Sequence, residues 1–104
     1  MIPFPQKVIF GLFGTLVYSM PMSKAIFTEK QKKLAELLRQ LRKEAGLKQW
    51  QLARLIDRTQ SEVSKRERGE YRIDLLELYE FCEVVGISVQ EFIRRFEESI
   101  NESR

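Results

Sequence analysis

The chain has no histidine and only one cysteine, Cys82. A disulfide framework within it is therefore impossible, and so is a zinc site with the ordinary set of ligands. The side chain most often used as a general base is missing, which weighs against catalysis. Glycine and proline are scarce, five and three among 104 residues, so neither a loop-rich nor a disordered chain fits. The longest apolar run, Val8 to Tyr18, has 11 residues, too few to span a bilayer as a helix. No cofactor, metal or membrane is implied, and the lone thiol suits a reducing cytoplasm.

What is present is a chain 43% hydrophobic and 32% charged, the balance of one small folded domain. Its charge is uneven. Residues 28–45 carry six basic against three acidic groups, and residues 46–72 carry seven against four. Residues 73–104 reverse this, with three basic against eight acidic. A basic front and an acidic back point to a polyanion at the front and solvent or another protein at the back.

Residues 1–27 form an apolar N-terminal segment of a different character from residues 28–104. Its Lys7 and apolar run sketch a signal peptide, but one with a weak basic start. The stretch Val8-Ile9-Phe10 followed by Gly11-Leu12-Phe13-Gly14-Thr15-Leu16 resembles the first motif of haloacid-dehalogenase-type hydrolases. That family's nucleophilic aspartate would fall at Gly11, which has no side chain, so this segment cannot catalyse that chemistry. Chance similarity, a remnant, and a true start at Met20 or Met22 all stay open. If ordered, the β-branched and aromatic content favours strand-like structure broken at Gly11 or Gly14.

Residues 28–104 read as five helices. Thr28-x-x-Gln31 matches a capping box that opens the first. Leu34, Leu37, Leu38, Leu41 and Ala45 then form one apolar face, and Gly46 stops it. Lys48 to Ile56 is the second, with Leu52, Ala53 and Ile56 inward. Thr59-x-x-Glu62 caps a third that runs from Gln60 to just before Gly69. Asp74-x-x-Glu77 caps a fourth with Leu75, Leu78, Cys82 and Val85 inward, stopped by Gly86. Ser88-x-x-Glu91 caps a fifth whose apolar side is Val89, Phe92, Ile93, Phe96 and Ile100. Four capping patterns and three glycines that partition the chain alike make an all-α fold the consistent reading.

The pattern Leu38-x-x-Leu41-Arg42, Gly46-Leu47-x-Gln49, Leu52-Ala53, Gln60-Ser61-x-Val63-Ser64, Glu67-x-Gly69 and Gly86-Ile87-Ser88 resembles the helix-turn-helix domain of the phage Cro and repressor family, the XRE-type regulators. The likeness covers residues 34–93. It implies an all-α five-helix bundle of the lambda-repressor type with a central helix-turn-helix. It also implies a sequence-specific regulator of transcription that binds double-stranded DNA, here expected to repress as a homodimer. An antitoxin-like protein that also neutralises a protein partner, a toxin or co-regulator, is the alternative.

The same residues make physical sense. A helix fits the major groove, where every base pair shows its own donor and acceptor pattern. With Val63 anchored inward, Gln60, Ser61, Ser64 and Lys65 face out from the third helix, all able to hydrogen-bond. The resemblance implies base readout by Gln60, Ser61 and Lys65, and Ser64 joins them by position. It also implies that Gln49, at the start of the second helix, grips a phosphate, with Lys48 beside it. Arg72, Arg58 and Arg68 are further phosphate contacts, Arg72 foremost. Arg42 and Glu67 match positions that form a structural ion pair in the family. Three residues depart from the pattern: Asp57, where many relatives turn on glycine; Trp50, expected to dock the apolar N-terminal segment; and Tyr71, an exposed loop aromatic by default.

Overall fold

The computed structural model describes residues 21–102, with side chains from Glu29 onward. Five helices follow one another: α1 (Pro21–Glu44), α2 (Gln49–Leu55), α3 (Gln60–Glu67), α4 (Leu75–Val85) and α5 (Val89–Glu102). Among the described residues there is no strand. None of these helices is long and apolar enough to cross a membrane. The strand-like reading of the first residues lies outside the described part of the chain.

The helix ends obey short-range chemistry. At α3, the Thr59 hydroxyl accepts from the Glu62 amide (3.1 Å), and the Glu62 carboxylate accepts from the Thr59 amide (2.8 Å). Both halves of that box form. At α4 and α5 only the cap itself forms, from the Glu77 amide to Asp74 (2.8 Å) and from the Glu91 amide to Ser88 (3.0 Å). Glu77 and Glu91 turn their carboxylates to arginines instead.

Helices α1 to α4 stop in one way, with a backward amide bond just past a left-handed residue. Leu47 donates to Arg42, Arg58 to Ala53, Glu70 to Lys65, and Ile87 to Cys82. The left-handed residue is glycine at 46, 69 and 86, and aspartate at 57, with φ 57°. Asp57 thus takes the glycine's place in the turn between α2 and α3. A short polar side chain is among the few that tolerate this conformation.

Two expectations about α1 are corrected. It begins at Pro21, so Thr28 lies within the helix and does not cap it. Proline suits the first helical turn, and no breaker intervenes before Gly46. Gln31, released from capping, donates its amide to the carbonyl of Gly69 (3.1 Å) and ties α1 to the end of α3. Ala45 is exposed because the helix has already ended, while Ala35 joins the buried face.

The core gathers Leu37, Leu38 and Leu41 of α1, Leu52 and Ala53 of α2, Val63 of α3, Leu78, Phe81 and Cys82 of α4, and Phe92 of α5. Phe92 is completely buried, and its ring meets Phe81 edge to face with centroids 6.3 Å apart. This T-shaped arrangement is the one aromatic quadrupoles favour. Burial also raises the Cys82 thiol above its usual range, which fits packing rather than reactivity. Leu75, expected inward, is 64% exposed, and Ile93 is 42% exposed. In the first turn of α4 the inward position belongs to Glu77, and Phe81 completes the stripe further along.

Candidate nucleic-acid interface

Helices α2 and α3 are short, of 7 and 8 residues, and pack through Leu52, Ala53, Ile56 and Val63. Val63 is 3% exposed. With that side pinned, Gln60 and Ser61 are carried on the open side of α3, exposed and unengaged among the described residues. Ser64 and Lys65 are half-buried. Arg68 donates to the Ser64 hydroxyl. The Lys65 ammonium lies over the Tyr71 ring, 5.1 Å from its centroid. The four groups therefore share one helix, but only Gln60 and Ser61 are without an intramolecular tie among the described residues.

A buried carboxylate organises the junction of α1, α2 and α3. Glu67, with its side chain 4% exposed, accepts from Arg42 through Nε (2.6 Å) and Nη2 (3.0 Å). Arg42 also donates to the carbonyl of Leu47 (2.7 Å). The ion pair expected at these positions is present. Glu67 does one thing more: its Oε1 accepts from the Gln49 amide nitrogen at 3.0 Å. That contact turns the Gln49 nitrogen toward Glu67 and leaves its second N–H as a donor. Lys48 precedes it, exposed, and donates its backbone amide to the Gln51 side chain (2.8 Å).

A second buried carboxylate was not legible from the sequence. Glu77 receives Arg58 through Nε (2.8 Å) and Arg66 through Nε (3.2 Å) and Nη2 (3.0 Å). Burial would raise its pKa, but the Arg66 and Arg58 guanidiniums outweigh that and hold it below the usual 4.5. Arg58 is raised in turn, chiefly through its bond to Glu77. Arg58 thus starts from an ion pair rather than from open solvent. Arg68 pairs with Glu70 (2.8 Å) at the exposed end of α3. Arg72 is exposed in the loop before α4. Trp50 is 46% exposed, with the Arg54 guanidinium 5.9 Å from its ring. Residues 1–20 of the segment expected to dock on Trp50 lie outside the described residues, and residues 21–27 are the start of α1.

A family model for the helix-turn-helix matches residues 38–92. The chain belongs to the XRE-type helix-turn-helix family. This XRE-type domain is therefore that of a DNA-binding regulator of transcription, with five helices as the resemblance implied. It is similar to an XRE-family like protein from Pseudomonas syringae pv. tomato, at 32% identity and a TM-score of 0.69, over 77% of this chain and 98% of that one. It is also similar to the restriction-modification controller protein C.AhdI from Aeromonas hydrophila, at 30% identity and a TM-score of 0.58, over 62% and 97%. The clp gene regulator ClgR from Corynebacterium glutamicum shares the fold at 23% identity and a TM-score of 0.66, over 71% and 79%. No curated protein matches the sequence.

The carboxylates of the XRE-type domain set its acid response. Glu77 is lowered, and Glu91 is lowered to about 2 by hydrogen bonds from Arg94 and Arg95. A lowered folded pKa contributes stability above the unfolded value, lost as pH falls through the folded one. With no histidine to titrate, thermal stability is expected to vary little between about pH 5 and 8. It should then decline from the usual 4.5 towards about 2. Melting curves across this range check it, and Glu77→Gln should flatten the decline. An equal decline in that variant would remove Glu77 as a cause.

Proposed function

We propose that the protein is a sequence-specific repressor that occupies an operator in duplex DNA as a homodimer in the cytoplasm. The observation that carries this is the division of labour around α3. Gln60 and Ser61 stand unengaged on its open side, while Gln49 is held at the start of α2 by a buried carboxylate. Unengaged amide and hydroxyl groups on a groove-sized helix suit base edges. A fixed donor beside it suits a phosphate. Ser64 and Lys65 extend the reading face, and Lys48, Arg68 and Arg72 the gripping one. Arg58, with its Nε on Glu77 and its side chain 31% exposed, has donors left for a phosphate but is held by the pair.

Dimerisation is supported by exposed apolar side chains, Leu75, Leu76 and Tyr79 clustered within about one turn of α4, and Ile93 on α5. Such clusters on a small domain usually mark an interface. A second copy is the occupant that the DNA reading asks for, because one helix reads too little sequence for tight binding at cellular salt. A stable complex with an unrelated protein at this patch would favour the antitoxin-like reading instead.

Selection of bound duplexes from a random pool tests the proposal. The bound sites are expected to contain two half-sites about 10 base pairs, or a multiple, apart. Gln60→Ala should relax preference at one or two positions by about 1–3 kcal/mol. Gln49→Ala should weaken all sequences alike and leave the salt slope nearly unchanged, because the amide carries no charge to displace a counterion. If both variants lose affinity in the same sequence-independent way, the division between reading and gripping is wrong.

A further inference from the structure

Lys65 has a long, flexible stem, and an ammonium that wanders cannot discriminate between bases without losing side-chain entropy on binding. The structure supplies a rest for it. The Tyr71 ring, in the loop between α3 and α4, has the Lys65 ammonium 5.1 Å from its centroid and the Arg66 guanidinium at 5.8 Å. Both lie within the roughly 6 Å range of cation–π attraction.

Arg66 is itself immobilised. It donates to the Glu62 carbonyl (2.9 Å) and to both oxygens of buried Glu77, and its side chain is only 15% exposed. A firmly held guanidinium therefore fixes the ring, and the ring offers its π-system to Lys65. The Glu70 carboxylate, bonded by Arg68 (2.8 and 3.2 Å) and with its pKa lowered by Arg68 first and Lys65 last, attracts the lysine through its charge but makes no ion pair with it among the described residues. Tyr71 is the group in contact with the ammonium.

We propose that Tyr71 is a positioning residue for Lys65. It carries the order of the buried Glu77–Arg66 pair out to the reading face and sharpens the base preference that Lys65 exerts. The inference rests on the DNA-reading function proposed above.

The test uses the duplex that the wild-type protein enriches most from a random pool, together with its single-base-pair variants. Dissociation constants are measured by fluorescence anisotropy for wild type, Tyr71→Phe, Tyr71→Leu, Lys65→Met and Lys65→Met/Tyr71→Leu. Tyr71→Leu is expected to lose about two- to five-fold in discrimination, the range of an exposed cation–π contact. The loss should fall at the base pair whose discrimination Lys65→Met removes, and preference at the positions read by Gln60 should stay unchanged. Tyr71→Phe, which keeps the π-face, should match wild type, and the double variant should match Lys65→Met.

The inference is overturned if Tyr71→Leu costs as much with Lys65 removed as with it present, because the ring then acts on its own. It is also overturned if Tyr71→Phe is as weak as Tyr71→Leu, because the hydroxyl is then the working group. A Lys65→Met variant with unaltered base preference removes it as well. A wild-type protein that enriches no sequence removes the DNA-reading function itself, and this inference with it.

Discussion

Phe92→Ala is expected to destabilise the domain by about 3–5 kcal/mol, the range for truncating a buried aromatic ring. Phe92 is fully buried and stands edge-on to Phe81. It fastens α5 to α4 and, through the shared core, to Leu37, Leu38 and Leu41 of α1. Small domains have about 5–15 kcal/mol of stability in total, and the smallest lie at the low end. The variant should therefore be substantially unfolded near body temperature. Urea unfolding followed by far-ultraviolet circular dichroism measures this directly. Leu55→Ala, at a leucine 60% exposed, is the control and should stay within about 0.5 kcal/mol of wild type. A Phe92→Ala protein as stable as that control would mean that α5 is not packed as described.

The contrast between these two positions shows what the sequence can and cannot reveal. Phe92 belonged to an apolar stripe with a matching cap at Ser88, and both signals are local. The same holds for the Thr59–Glu62 box and the stops at Gly46, Gly69 and Gly86, which depend on residues within one turn. Asp57 was legible as a substitute for glycine because only its own backbone decides the matter. Local patterns failed where a distant partner decides. Thr28 looked like a cap, but the helix simply continues through it, and Gln31 finds Gly69 from across the chain. Leu75 and Phe81 compete for one stripe, and the choice depends on what packs opposite. Glu77 had the spacing of a capping box, yet its carboxylate is taken by Arg66 and Arg58, 11 and 19 positions away. Those partners also explain why Arg58 is a less available phosphate contact than its charge suggested.

Glu67→Ala is expected to cost about 3–5 kcal/mol, because removing one partner leaves a buried charge uncompensated. Arg42, 7% exposed, would keep only the Leu47 carbonyl. This loss of stability would by itself weaken DNA binding, so the single variant cannot separate the two roles of Glu67. The paired variant Arg42→Met/Glu67→Met can. Replacing both charges by apolar groups of similar size removes the burial penalty together with the attraction, and such swaps are often neutral or stabilising. Its stability in urea should therefore recover most of what Glu67→Ala loses. Gln49, however, has lost its acceptor in both proteins, and its amide is free to rotate. Affinity for DNA should stay low in the paired variant, equally for the best duplex and for its mismatched versions, and close to that of Gln49→Ala. Adding Gln49→Ala to the paired variant should then change little, since the orientation it would disturb is already gone. The two measurements, unfolding in urea and binding by anisotropy, must therefore move apart. If stability and wild-type affinity return together, Glu67 serves the fold alone and the grip of Gln49 does not depend on it.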